Sequence, residues 1–261
     1  MLSLMWDRTS EKDVDKVAAL TYFLALGSTP AHNETRSTTS TAHKDTMINS
    51  TSNHTSIGTG DPTSTIALAY SELESAEHAW TALMEVMGWD HRSEFFFLCS
   101  EPGPEKNAWR PSWKQVMNRD SLSFLMDSKD NFWVYVERNM KTGTSFYNGW
   151  RIESVQVQGL GTLVAAPRKG HLIVRTPTGE EHRYEISTNH QYPIPDGVYS
   201  LLCTQQPWQS NVTLCVVGKM LPDQTFIKTS VFEIIGWPRD AREWESMALR
   251  IGAKKLRTVL G

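Results

Sequence analysis

From Asn131 to Ile235 apolar and polar positions alternate with a period of two, the pattern of half-buried strands. Phe132, Val134 and Val136 alternate with Trp133, Tyr135 and Glu137. Leu172 to Arg175 reads as a strand, Pro177-Thr-Gly179 as a turn, and His182, Tyr184 and Ile186 alternate with Glu181, Arg183 and Glu185, which predicts a hairpin. Trp150 to Val157, Thr162 to Ala166, Val198 to Thr204, Val212 to Lys219 and Thr225 to Ile234 complete about eight strands, with Leu221-Pro-Asp-Gln224 turning between the last two. Short strands at this spacing predict a β-rich barrel or sandwich.

Upstream the period changes to that of helices. Thr9 and Ser10 are candidate caps for a helix rich in Val14, Val17, Leu20, Tyr22 and Phe23, which Gly27 closes. Little polar face remains near its end, so it needs burial on most sides and reads as the remnant of an upstream domain, 1–27. Ile66 to Tyr70 reads as a short strand. Ser71-x-x-Glu74 is a capping box for a second helix whose stripe is Leu73, Ala76, Trp80, Leu83, Met84 and Met87, with Gly88 ending it. Glu94 to Cys99, wholly apolar after its first residue, reads as a strand. A Pro/Gly loop, Glu101-Pro-Gly-Pro-Glu, then leads to Trp109-Arg-Pro-Ser-Trp113. The tail from Pro238 to Arg250 reads as a helix with Pro238 at its first position, followed by a basic end at Lys254, Lys255 and Arg257. The fold class expected is therefore α+β: a short N-terminal helical and α/β segment, an antiparallel β-rich barrel or sandwich over 131–236, and a C-terminal helix within 237–261.

Composition changes this picture at one place. Residues 28–65 hold 7 Ser, 11 Thr and 3 Asn among 38, with no aromatic. Such a stretch buries too little apolar surface to offset the entropy of ordering, so it is read as a disordered insert, leaving 66–130 as a small α/β segment and Pro/Trp loop. Asn33, Asn49 and Asn53, with Asn211 downstream, fit Asn-x-Ser/Thr, but without a signal peptide they reflect composition. His32, His43 and His54 lie in the same insert, where a metal site would lack fixed geometry. The net charge is −3, with basic and acidic residues mixed and no Lys/Arg stripe, which argues against a nucleic-acid partner. No run of roughly 18 apolar residues occurs, so no membrane span is expected. Cys99, Cys203 and Cys215 all lie in apolar runs and read as buried reduced thiols in a cytoplasmic setting. A disulfide between Cys203 and Cys215, as strand neighbours, is the minor alternative.

Candidate chemistry is sparse. Gly159-Leu-Gly161 is a turn rather than a dinucleotide loop, and no Walker A loop, G-x-S-x-G elbow, H-E-x-x-H or C-x-x-C occurs. No cofactor, metal site or catalytic set is implied. His171, His182 and His190 are the histidine candidates. His182, sharing a face with Tyr184 and Ile186, reads as a hydrogen-bonded core residue, and His190 stands in a loop, Thr188 to Pro195, suited to binding. Trp109, Arg110 and Trp113 are either an exposed aromatic–arginine anchor for a partner or, the favoured reading, a loop that plugs two indoles into the core.

Taken in order, Asp15-Lys-Val-Ala-Ala-Leu20, Glu77-His-Ala-Trp80, the Pro102-to-Trp113 loop with Trp109-Arg-Pro-Ser-Trp-Lys-Gln-Val116, Tyr192-Pro-Ile-Pro195, Val216-Val-Gly218 and Lys228-Thr-Ser-Val-Phe-Glu233 resemble basidiomycete proteins of the heterokaryon-incompatibility family. The resemblance covers most of the chain outside 28–65. The family's N-terminal signature, a Tyr-x-x-Leu-Ser-Tyr-x-Trp-Gly-like stretch, does not occur here, so the resemblance is to the downstream part and carries over no N-terminal activity. It implies a role in fungal non-self recognition and a protein partner. Three readings follow: a non-enzymatic interaction module, an enzyme acting on a nucleotide or small molecule with a histidine in the β-rich part, and a carbohydrate-binding β-module with an exposed Trp. The residues specify no oligomeric state.

Overall fold

The computed structural model describes residues 12–27, 75–104, 107–118, 135–162, 167–204, 213–238 and 240–261. The insert at 28–65, the strand expected at Ile66 to Tyr70, the box at Ser71 and Glu74, the caps at Thr9 and Ser10, residues 131–134 and most of the Thr162-to-Ala166 strand lie outside the described residues. The elements are α1 (Asp13–Gly27), α2 (Ala76–Val86), α3 (Trp89–Leu98), α4 (Trp113–Met117), β1 (Tyr135–Arg138), β2 (Ser145–Gln158), β3 (Arg168–Arg175), β4 (Glu181–Thr188), β5 (Gly197–Cys203), β6 (Thr213–Met220), β7 (Thr225–Ile235), α5 (Ala241–Arg250) and β8 (Lys254–Leu260).

The fold is α+β, and its sheet closes into a ring. Antiparallel pairing runs β2-β3-β4-β7-β6-β5, and β5 pairs back onto β2. The long strand β2 makes this possible. Its first half pairs with β1 and β8, and its second half with β3, while β5 spans both halves. Register shifts between Ile152 and Val155, where Ser154 takes a positive φ of 57°. An irregularity of this kind bends a strand, as closure requires. β8 fills the gap between β2 and the start of β7, running parallel to β7 at Thr225 and Phe226. Closure leaves fewer free strand edges, the liability of open sheets.

Two cores result. The ring's interior holds Ile152, Val155, Val157, Leu172, Val174, Leu201, Val217 and Phe232, and α5 seats Trp244 and Ala248 into it. The second core lies between the outer face of β2, β5, β6 and β7 and the helices α1–α4. There Tyr147, Leu202, Val216 and Phe226 meet Trp80, Leu83, Met84 and Phe95 to Phe97. β5 and β6 are buried on both faces, which is why Leu201 to Cys203 and Leu214 to Val217 are continuous apolar runs rather than alternating ones. In the same helical layer α1 packs Val14, Val17 and Leu20 against α2.

Several local expectations change. Glu94 to Cys99 is not a strand but the last part of helix α3, with Cys99 forming an isolated bridge just after it. Phe95, Phe96 and Phe97 are all buried because α3 is wedged between α2 and the ring, and a run apolar on every side carries no period. The cap of α2 among the described residues is Ser75, whose Oγ accepts from the His78 N–H. α5 begins at Ala241 rather than Pro238, because Asp240 caps it by accepting from the Arg242 and Glu243 N–H groups. It ends in a Schellman motif. Gly252, at φ 80°, donates to Leu249 O, and Ala253 donates to Ala248 O. The basic tail beyond it is strand β8 rather than a helix end, and it belongs to the sheet.

Trp244 is 1% exposed, so Trp244→Ala removes a ring-plugging indole. Chemical denaturation is expected to show a loss of about 3–5 kcal/mol. Arg242→Ala on the exposed side of the same helix should stay within about 0.5 kcal/mol. Equal losses for the two would contradict the role given to α5.

Candidate functional site

The Trp109 loop is built from local caps. Ser112 and Gln115 form a reciprocal capping box for α4: Ser112 Oγ accepts from the Gln115 N–H, and Gln115 Oε1 accepts from the Ser112 N–H. The signature was present in the sequence as Ser112-x-x-Gln115 and was missed. Gln115 Nε2 also donates to Pro102 O at 2.8 Å, and the Trp109 N–H donates to Gly261 O at 3.1 Å. Trp113 N donates to Glu77 Oε2, and Trp80 Nε1 donates to Pro111 O at 2.8 Å. Trp109 and Trp113 are 3% and 4% exposed, and Trp113 packs 5.7 Å from Trp80. Neither indole offers a face to a partner, so these two are core residues and not exposed anchors. Arg110 is half-buried among Glu85, Glu77 and Arg138, and burial lowers its pKa.

The histidines do not converge. On the β3–β4 hairpin His182 pairs with Val174, whose side chain is in the ring core, while His171 pairs with the exposed Glu185 one residue out of phase with Leu172. The two rings therefore lie on opposite faces of the hairpin. His182 is half-buried rather than a core residue. It stacks on Tyr184 at 6.4 Å, with Nε2 3.5 Å from the Glu180 carboxylate. His190 is elsewhere and sealed, at 2% exposure.

Around His190 lies a buried polar network that the sequence did not reveal. Arg168, the first residue of β3, sends Nη1 to Leu160 O (2.6 Å) and Thr162 O (3.3 Å), and Nη2 to His190 O (3.0 Å) and Tyr192 O (2.6 Å). One guanidinium thus ties two loops together. Across them, His190 Nε2 lies 2.8 Å from Val231 O and 3.5 Å from Ser230 Oγ. Ser230 Oγ donates to Ser100 O at 2.7 Å, and Lys228 Nζ donates to Phe96 O at 2.7 Å.

A Ser–His pair at this distance invites a nucleophilic reading, but the wiring opposes it. Val231 O can only accept, so Nε2 carries the ring proton and cannot take one from Ser230. The Ser230 proton points to Ser100 O, and Nδ1 is buried with no hydrogen-bond partner among the described residues, so no carboxylate orients the ring. A base needs the opposite tautomer and an orienting acid. Burial, reinforced by the Arg168 and Lys228 cations, pushes the His190 pKa down to about 4, so the ring is neutral at pH 7. Burial likewise pushes Lys228 down to about 8 and the Cys99 thiol up to about 12, which leaves Cys99 unreactive.

An open groove among the described residues lies on α5. A groove of about 430 Å³ is lined by Pro238, Arg242, Glu243, Ser246, Met247 and Arg250. Arg242, Ser246 and Arg250 fall at i, i+4 and i+8, one stripe of the helix. Arg250 sits close enough to Tyr184 to pull its pKa down, although burial raises it overall. Tyr184 in turn packs 5.2 Å from Trp237, which reaches Trp244 at 6.4 Å. The Nε1–H groups of the buried Trp237 and Trp244 have no hydrogen-bond acceptor among the described residues. The amphipathic pattern of 241–250 was the available signal for this surface. Among the described tryptophans Trp89, on the first turn of α3, is the exposed one, at 44%. No group of acidic, His and Cys side chains among the described residues is arranged to hold a metal ion, and no described helix is long and apolar enough to cross a membrane.

An α+β protein with a ring-closed sheet, a helical layer on one outer face and a plugging helix is thus the class that the fold defines. No family model, curated protein or solved structure matches the chain.

Titration reports on the network. The folded His190 pKa lies below its ordinary value of 6.5, so between pH 4 and 6.5 the unfolded chain binds more protons and His190 adds stability as pH rises. Lys228, lowered from 10.5 to about 8, does the same between pH 8 and 10.5. Urea denaturation across pH should therefore show that His190→Gln gains less stability than the wild type from pH 4 to 6.5, and that Lys228→Met gains less, or loses more, from pH 8 to 10.5. Parallel curves for wild type and variant would contradict the burial of that charge.

Proposed function

We propose that this chain is a non-enzymatic interaction module of an intracellular fungal regulatory protein, resembling the downstream part of heterokaryon-incompatibility proteins, and that it engages an acidic protein partner through the α5 groove. The observation that carries the reading is the groove itself. Two arginines, for which the structure shows no carboxylate partner among the described residues, flank Ser246 and Met247 on an open helical face. Arg250 follows Arg242 by eight helical positions, about 12 Å at 1.5 Å per residue, which suits two carboxylates of one bound segment. Tyr184 gives the groove an aromatic neighbour, a residue type enriched at binding surfaces.

The groups that would serve an enzyme support the same reading by their positions. His190, Lys228 and Cys99 are sealed between the helical layer and the ring, and their polar atoms are committed to backbone carbonyls or desolvated. His171 and His182 occupy opposite faces of one hairpin. Among the described residues the carbohydrate-binding reading rests on Trp89, a single indole on a helix rather than a platform on the ring. The resemblance supplies the setting, fungal non-self recognition, and the three free cysteines fit a reducing cytoplasm.

The test uses the immobilised chain and fungal lysate. Retained protein partners should fall about tenfold with the double variant Arg242→Glu/Arg250→Glu, and fall with added salt as charge complementarity demands. Equal retention by wild type and variant, or retention by neither, contradicts the proposal.

A further inference from the structure

Cys203 and Cys215 are direct cross-strand partners on β5 and β6. The neighbouring pair fixes which kind of site they occupy. Thr204 N–H donates to Leu214 O at 3.0 Å, so residues 204 and 214 form the hydrogen-bonded pair and 203 and 215 the non-hydrogen-bonded one. In antiparallel sheets that is the site where Cα atoms lie about 4.5 Å apart and facing side chains are closest, within the range a disulfide spans. Both thiols point into the ring core, and their sulfurs are in contact at 2.7 Å. Two other thiol arrangements would carry nothing. A pair on adjacent strands but out of register would aim its side chains to opposite faces, and Cys99, in the other core, has no cysteine partner among the described residues.

We infer that Cys203 and Cys215 form a reversible oxidative modification site, a dithiol that a small-molecule disulfide converts to a cross-strand bridge within the folded ring. The reaction balances simply. One thiolate attacks a sulfur of glutathione disulfide, forming a mixed disulfide and releasing one glutathione thiolate; the second cysteine, losing its proton to solvent, attacks the protein sulfur of that mixed disulfide and releases the other. The protein gives up two electrons and two protons, and the oxidant leaves as two thiols. Access comes from the position of the pair. Cys203 is the last residue of β5, and Cys215 is the third of β6, so local opening at this end of the sheet, which also parts their pairings with Trp150 and Phe232, exposes both without opening the rest of the ring. In the closed ring the Cys215 thiol is held protonated by burial and by the Cys203 sulfur beside it, which keeps the dithiol inert until that end opens.

The bridge would lock the two strands that are buried on both faces. Leu202, Leu214 and Val216 on their outer side pack under the helical layer, while Cys203 and Cys215 lie inside. Oxidation thus fixes the wall that both cores share. The site is independent of the α5 groove, and its test does not involve a partner.

The full chain is incubated under native conditions with glutathione disulfide, then quenched, denatured and titrated for thiols. The count should fall from three to one, with a mass lower by about 2 Da, a 203–215 link on peptide mapping, and full reversal by dithiothreitol. Cys99→Ala should still form the bridge, whereas Cys203→Ala should leave Cys215 either free or glutathionylated. A count that stays at three, stable glutathione adducts without a link, or bridging that appears only after denaturation would each overturn the inference.

Discussion

The ammonium of Lys228 holds the two halves of this protein against each other. It is fully enclosed, and it donates to the carbonyl of Phe96, one of the last carbonyls of α3, which the helix cannot itself satisfy. A cation at a helix C-terminus also meets the negative end of the helix dipole, so the contact is favourable in two ways. It lies 5.4 Å from the Phe96 ring, a further favourable placement for a desolvated cation. Two residues on, Ser230 repeats the arrangement with Ser100 O, and Val231 O receives His190. β7 thereby pins the end of α3 on one side and the Thr188-to-Pro195 loop on the other. Arg168 then secures that loop to the Gly159–Thr162 turn.

Such pins are costly to bury, and the pKa of Lys228 shows it. The cost is tolerable because every charged head finds carbonyl oxygens, and because the alternative would leave the α3 carbonyls unpaired under an apolar layer. It also explains why the most reactive side chains are unsuited to chemistry. Lys228 and Ser230 spend their donors on carbonyls at the end of α3, and His190 spends Nε2 on Val231 O.

The strands were legible because their period of two survives wherever one face is solvated. β3 and β4 are the clearest case, with Leu172 and Val174 inside and Lys169 and Arg175 outside. Legibility failed where burial was complete or where charge misled. Phe95 to Phe97 are enclosed on all sides, so their run carries no period and was read as a strand. Lys254, Lys255 and Arg257 suggested a basic helix end, yet Thr258 and Leu260 are buried on β8 in strand alternation. His190 was found through its proline-bounded loop, but its partner Val231 is 41 residues away, and no local pattern announces that contact. The α5 groove was missed because the tail was read only as a helix, with no surface assigned to it.

The proposed function draws on the same division: the outward face of α5 carries Arg242 and Arg250, and the inward face seats Trp244 and Ala248 in the ring core. The most direct measurement of the central claim is hydrogen exchange by mass spectrometry on the wild type and Lys228→Met. If the β7 pins hold the helical layer on the ring, α3 amides will lose protection in the variant while β3, β4 and β5 keep theirs. Unchanged protection of α3, or a uniform loss across the whole chain, would contradict it.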